Sequence, residues 1–213
     1  MIQTTWDKIY KAYEKGGEKW ASLADKIHPA FISYLSQTKF QNRSVLDLGC
    51  GNGKYLKLLK KVGFSISGID SSPTAIKMAR RSLGIKAKLY VKNIYTTPIQ
   101  SGKYDFIISI ATIQHSKKPP IKRLVNRIYK SLLPDGKVFI TFPRMSSLQR
   151  WAIFTKMKKI ASGTFVPLLG PEKGLPHSFY EKDELMVLFS RFDKVRITKD
   201  NKGRWIVRGM KKI

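Results

Sequence analysis

Val45-Leu46-Asp47-Leu48-Gly49-Cys50-Gly51-Asn52-Gly53 is the stretch that decides the fold. An apolar run enters three glycines at alternate positions, and Lys54 to Val62 (KYLKLLKKV) then carries apolar residues at helical spacing. The stretch therefore predicts a strand, a tight turn and a helix. Glycine lets the backbone turn sharply there and lets a ligand approach with no Cβ in the way. The helix beginning near Lys54 points its free N–H groups at whatever rests on the turn.

Spacing separates the ligand classes that use such a turn. A phosphate-binding P-loop needs Gly-x-x-x-x-Gly-Lys-Ser/Thr, but Leu48 stands at the first glycine and Tyr55 follows Lys54, which excludes it. The dinucleotide fingerprint needs glycine at position 54, where Lys54 stands. A ligand with a ribose should meet a carboxylate roughly 20 residues downstream, at the end of the second strand. Ser65-Ile66-Ser67-Gly68-Ile69-Asp70 supplies one, and Ser71-Ser72-Pro73 then opens a helix from Thr74 to Leu83. Asp70 reads either as the ribose acceptor or as a plain helix-capping carboxylate.

Asp-x-Gly-x-Gly-x-Gly at the end of a first strand resembles motif I of the class I S-adenosylmethionine-dependent methyltransferases, within which Ile110 to His115 followed by a basic helix looks like the type 11 group. Leu132-Leu133-Pro134-Asp135-Gly136-Lys137-Val138-Phe139-Ile140-Thr141 also resembles the family's fifth strand and its preceding turn, with Asp135 replacing a usual glycine. The resemblance implies an α/β, Rossmann-like doubly wound fold: a seven-stranded, mostly parallel sheet with an antiparallel last strand and helices on both faces. It implies S-adenosyl-L-methionine as cofactor, its methionine end on Gly49 to Gly53 and its ribose on Asp70. Asp47, Cys50, Ser71 and Ala111 complete the expected cofactor residues. Asn93, with Ile94, stands where the family places an acid against the adenine amine; its amide oxygen can still accept.

The chain has 213 residues and 42% hydrophobic residues, enough for one α/β domain with a real core. No apolar run of 18 residues occurs and the N-terminus lacks a signal-like apolar segment, so a cytoplasmic protein with no membrane contact is expected. The single cysteine, Cys50, forms no internal disulfide, and no Cys/His spacing suggests zinc; no metal is expected. Lys and Arg number 41 against 14 Asp and Glu, a net charge of +27. Such a field attracts polyanions, so an RNA or tRNA acceptor is one reading and a lysine-rich proteome the other.

Trp6 to Tyr13 and about Glu18 to Ser36 read as amphipathic helices over the cofactor mouth, the second carrying Trp20, Leu23, Ile27, Phe31 and Leu35 on one face. Ala87 to Ile94, Tyr104 to Ile110 and Lys137 to Phe142 read as strands, Ile121 to Leu133 and Lys182 to Ser190 as helices, and Phe192 to Thr198 with Arg204 to Met210 as a final hairpin. Residues 143–180, with a helix near Ser147 to Ile160, form an insertion or lid bordering the acceptor site. Trp151, Phe154 and Phe165 there could stack a base. His115, on the loop after the fourth strand, is the candidate proton acceptor. Tyr10, Arg144, His177 and Tyr180 are expected to face the acceptor.

Lys118-Pro119-Pro120-Ile121 is not the Asn/Asp-Pro-Pro-Tyr signature of amino methyltransferases, and carbon-5 cytosine chemistry would need a cysteine outside the cofactor turn. Transfer to an oxygen or nitrogen of RNA, of a small molecule, or a non-catalytic binding role all stay open. So does the need for an activator subunit.

Overall fold

The computed structural model describes residues 2–16, 26–85 and 87–212. Its frame is a seven-stranded sheet in the order β3-β2-β1-β4-β5-β10-β9. The parallel part comprises β1 (Ser44–Leu48), β2 (Ser65–Asp70), β3 (Lys88–Val91), β4 (Tyr104–Ser109) and β5 (Leu132–Pro143). The final hairpin, β9 (Asp193–Lys199) and β10 (Arg204–Met210), adds an antiparallel strand beside β5. The sheet is therefore the doubly wound one that the glycine turn and strand pattern imply.

Alternating side chains build an apolar core on each face. Phe106 and Ile108 of β4 join Leu56 and Leu59 of α3 (Lys54–Lys61), Ile76 and Ala79 of α4 (Pro73–Leu83) and Phe31 of α2 (Pro29–Gln37). Ile107 between them faces the other way, toward Leu124 and Ile128 of α5 (Lys118–Ser131) and Leu185 of α7 (Lys182–Leu188). Among the described residues no helix is long and apolar enough to cross a membrane.

Several boundaries differ from the sequence reading. The helix expected from Glu18 is described only as α2, which starts where His28 caps it: Nδ1 accepts from Ala30 N (3.2 Å), and Pro29 supplies the first-turn geometry. Trp20 and Leu23 lie outside the described residues. Strand β3 ends at Val91, short of Asn93, because the Asn93 side chain turns the backbone back: Oδ1 accepts from Tyr95 N at 2.9 Å.

The helix expected to reach Ile160 stops at Thr155, where α6 (Leu148–Thr155) ends on Lys156 with a φ of 48°. Met157 onward then forms β6 (Met157–Ala161), β7 (Thr164–Pro167) and β8 (His177–Ser178), a separate antiparallel sheet whose first hairpin turns at Gly163. Trp151 and Phe165 lie edge-on to Phe179 in this layer, whereas Phe154 stays 75% exposed.

Helix α1 (Ile2–Glu14) lies on α4. Asp7 makes the joint: Oδ1 accepts from Ser72 Oγ and Thr74 N, both at 2.9 Å, and Oδ2 pairs with Lys11 at 2.9 Å. A carboxylate at the first turn of α4 also meets the positive end of its dipole. Burial acts to raise the Asp7 pKa, but the Lys11, Thr74 and Ser72 contacts hold it well below the usual carboxylate value. Asp7→Ala is expected to remove roughly 1.5–3 kcal/mol of charge-assisted bonding. In a chain of this size that is a Tm drop on the order of 5 °C. Calorimetry showing an unchanged Tm would mean that α1 is held by other contacts.

Candidate functional site

The carboxyl ends of β1, β2 and β4 converge where the strand order reverses, which is where open α/β sheets place their ligands. A cavity opens there, lined among others by Trp6, Tyr10, Gly49, Cys50, Gly51, Asp70, Ser71, Asn93, Ile94, Ala111 and His115.

The floor is the glycine turn. Gly49 N and Cys50 N both donate to Ile69 O, at 2.7 and 3.0 Å, which fastens the turn to β2. Gly49 has a φ of +84°, and a Cβ added to it would lie 2.1 Å from Thr112 Cγ2. At Gly51, with a φ of +54°, a Cβ would lie 2.3 Å from Tyr10 Oη, so Tyr10 closes over the turn from α1. Tyr10 therefore stands over the glycine turn, at that end of the cavity. Gly53 is absent from the lining: a Cβ there would meet Leu83 Cδ1 at 2.9 Å, so this glycine serves the packing of α3 on α4.

Asp70 is buried at the end of β2 and accepts from Gly51 N and Ser72 N, each at 2.9 Å. A carboxylate oxygen can accept more than one hydrogen bond, and Asp70 lines the cavity. Burial raises its pKa against these backbone bonds. Asp47, buried on β1 behind the turn, is pushed up to about 8, by burial first and by the Asp70 charge second, with Lys54 opposing. Two buried carboxylates so close create a field that a cationic ligand relieves. The S-adenosylmethionine sulfonium and ammonium groups have that charge, and the residues present fit them.

The sign of the Asp47 effect can be tested. Its folded pKa lies above the unfolded value, so the contribution to stability is full at low pH and declines as pH rises toward 8. A cation bound beside it favours the ionised form. Near pH 7, S-adenosylmethionine binding is therefore expected to release part of a proton and to tighten as the pH approaches 8. Titration calorimetry in buffers of different ionisation enthalpy measures this; equal heats in all buffers, or the same proton release in Asp47→Asn, would contradict it.

Asn93 and Ile94 line the wall beyond β3, and Asn93 Oδ1 already accepts from Tyr95 N. Ala111 follows β4 with a φ of 57°, its N–H bonded to Thr141 Oγ1 at 2.8 Å. A positive φ on a residue with a Cβ is a local strain held by its surroundings.

His115 is 3% exposed and forms the far wall, edge-on to Trp6 at 4.9 Å. Burial, then the nearby His177, lower its pKa to about 3, so the ring is neutral through the physiological range. His177 is fully buried against it, with ring centroids 4.5 Å apart, and its Nε2 lies 2.7 Å from Glu172 Oε2. The structure does not bring Arg144 and Tyr180 to the cavity lining. They bridge each other behind it: the Arg144 guanidinium lies 5.9 Å over the Trp205 ring, whose Nε1 donates to Tyr180 O at 2.9 Å. Asn52, Lys54, Tyr55, Tyr95 and Thr112 in the lining, and Gln114 and Glu172 beside His115 and His177, were not among the site residues expected from the sequence. Of these, Glu172 had a signal: it is the first acid after Asp135 in a basic stretch.

Comparison with known proteins adds four findings. The pattern of the methyltransferase domain family matches residues 19–193. The ubiquinone biosynthesis O-methyltransferase of Hydrogenovibrio crunogenus is 27% identical over 146 residues, covering 66% of this chain and 56% of the relative. The probable tRNA methyltransferase 9B of Bos taurus is 29% identical over 133 residues, 62% of this chain and 28% of that protein. The chain thus spans about half or less of the length of these curated relatives. Among solved structures, the complex of the Haloferax volcanii Trm112 methyltransferase activator with its methyltransferase partner aligns with a TM-score of 0.73 at 14% identity, covering 100% of this chain and 98% of that one, a likeness of fold.

Proposed function

Since the chain belongs to the methyltransferase domain family, we propose that it transfers a methyl group from S-adenosylmethionine to an oxygen or nitrogen of RNA, with tRNA the class to test first. The observation that carries this reading is the net charge of +27 together with the face of the small antiparallel layer. Lys156 and Lys158, two residues apart, are exposed there, and Ile153 and Phe154 of the preceding α6 are each 75% exposed. Cations for the backbone and a free aromatic for a base are what single-stranded nucleic acid uses. The tRNA methyltransferase among the relatives supports the same class, and the ubiquinone one keeps a small phenolic acceptor as the second outcome.

The cofactor supplies an electrophilic methyl group when bound. In this reading Asp70 holds the ribose diol, the Gly49 to Gly51 turn with Tyr10 encloses the methionine end, and Asn93 with Ile94 flanks the adenine. His115 borders the acceptor end. A ring held neutral at a pKa of about 3 stores a proton poorly, so its part is to shape the acceptor end of the cavity and not to carry a proton. Arg144, His177 and Tyr180 act from behind, by fixing the layer that covers the acceptor. An activator subunit remains part of this proposal, tested by adding one to the assay.

Total tRNA binding, followed by anisotropy, is expected to weaken by about a thousandfold or more between 50 and 200 mM salt. Methyl transfer from labelled cofactor into the tRNA should fall in parallel. Salt-independent turnover with no tRNA binding would favour the small-molecule acceptor.

A further inference from the structure

His115, Glu172 and His177 reach one point from the loop after β4, from the segment before β8 and from β8 itself. One donor atom of each lies within 4.8 Å of the other two. His177 Nδ1 faces Leu175 O at 2.9 Å, so the ring donates its proton there, and Nε2 is the nitrogen turned toward Glu172. That carbonyl contact is the outer interaction that fixes a metal-binding histidine in the useful tautomer. His115 Nδ1 and the adjacent Gln114 Oε1 are buried and have no hydrogen-bond partner. Unpaired polar atoms in a dry site call for an explanation, an absent ion being one. Trp6 and Trp151 shield the cluster on its outer sides, edge-on to His115 at 4.9 Å and to His177 at 5.2 Å. Toward the cofactor cavity it is bounded by His115, which lines that cavity.

We propose that His115, Glu172 and His177 form a binding site for a divalent transition-metal ion of the zinc class, with its remaining coordination position toward the acceptor end of the cavity. Two imidazoles and one carboxylate are the donor set of zinc sites that keep a position open. Magnesium and calcium take oxygen donors and suit this set poorly. An ion arriving here replaces the hydrogen bond between Glu172 and His177 with two coordinate bonds, and any proton shared between them leaves to solvent. The sequence reading expected no metal because Cys and His spacing along the chain gave no pattern; the three groups meet only through the fold. The ion would hold an acceptor oxygen, and this role rests on the methyltransferase reading above, whereas binding of the ion does not.

The test is calorimetric titration of the full chain, cleared of metal by a chelator, with zinc and with magnesium. One zinc per chain at micromolar or tighter affinity is expected, with no magnesium binding at the same concentrations, and cobalt should give the visible absorption of a low-coordinate site. Glu172→Gln and His177→Ala should each weaken zinc binding by about a hundredfold. Circular dichroism and S-adenosylhomocysteine affinity are recorded for both, and the near-isosteric Glu172→Gln decides if His177→Ala does not fold. No zinc binding by the parent chain, or parent-like binding by folded Glu172→Gln, overturns the proposal. Loss of the zinc result with cofactor binding intact removes the metal site alone; absence of cofactor binding with zinc binding intact removes the methyltransferase reading alone.

Discussion

Gly49→Ala is expected to weaken S-adenosylhomocysteine binding by about a hundredfold or more. Two costs add at this position. A residue with a Cβ at a φ of +84° is strained by about 1–3 kcal/mol. The Cβ also lands 2.1 Å from Thr112 Cγ2 and 2.4 Å from Oγ1, an overlap that costs about 1–3 kcal/mol even when the neighbour moves. The sum, about 2–6 kcal/mol, displaces the turn from the geometry that receives the ligand, and a hundredfold loss of affinity corresponds to about 2.8 kcal/mol. Pairing the change with Thr112→Ala should recover only part of the loss, because the Thr112 Cβ itself is 2.6 Å away and the backbone strain persists. Parent-like affinity in Gly49→Ala, measured by calorimetry, would mean that the ligand does not rest on this turn.

Asp70→Ala is expected to lower cofactor affinity by one to two factors of ten, since a hydrogen bond to a charged group contributes about 1.5–3 kcal/mol. The same carboxylate ties Gly51 N to Ser72 N, so its loss also frees the turn from the start of α4. Asp70→Asn separates these effects: an amide has one oxygen to accept with, and it should recover one backbone bond but not the pair. If Asp70 were only a helix cap, Asp70→Ala would lower Tm and leave the affinity unchanged.

The sheet was legible in the sequence because its signals are local. Val45 to Gly53 reads as strand and turn from residue types alone, Ser65 to Asp70 alternates toward a capped helix, and the order of elements fixes the topology with few alternatives. The cavity-lining residues Asp70, Ser71, Asn93 and Ala111 follow, since they adjoin the strand ends. Three matters were not legible. Gly53 has the same spacing as its neighbours, yet the space it needs is set by Leu83 and Ala79, which belong to another helix. Met157 to Pro167 carries lysines and apolar residues that suit either a helix or a hairpin, and Gly163 with a positive φ settles it. The pairing of His177 with Glu172 and its approach to His115 span 62 residues of chain, and periodicity has no reach over that distance.

The lid was read as an acceptor surface through its aromatics, and burial redistributes that role. Trp151 and Phe165 are committed to Phe179 and His177, so Phe154 is the aromatic left exposed on α6. The Asp7 joint likewise escaped notice, although it sets where Trp6 and Tyr10 stand over the cavity.

The central claim is that the cavity over the Gly49 to Gly51 turn holds S-adenosylmethionine. Isothermal titration of the full chain with S-adenosylhomocysteine tests it most directly. One site of micromolar or tighter affinity, weakened in Asp70→Ala and lost in Gly49→Ala, is the predicted result; no heat from a folded parent chain, or binding indifferent to both substitutions, would contradict it.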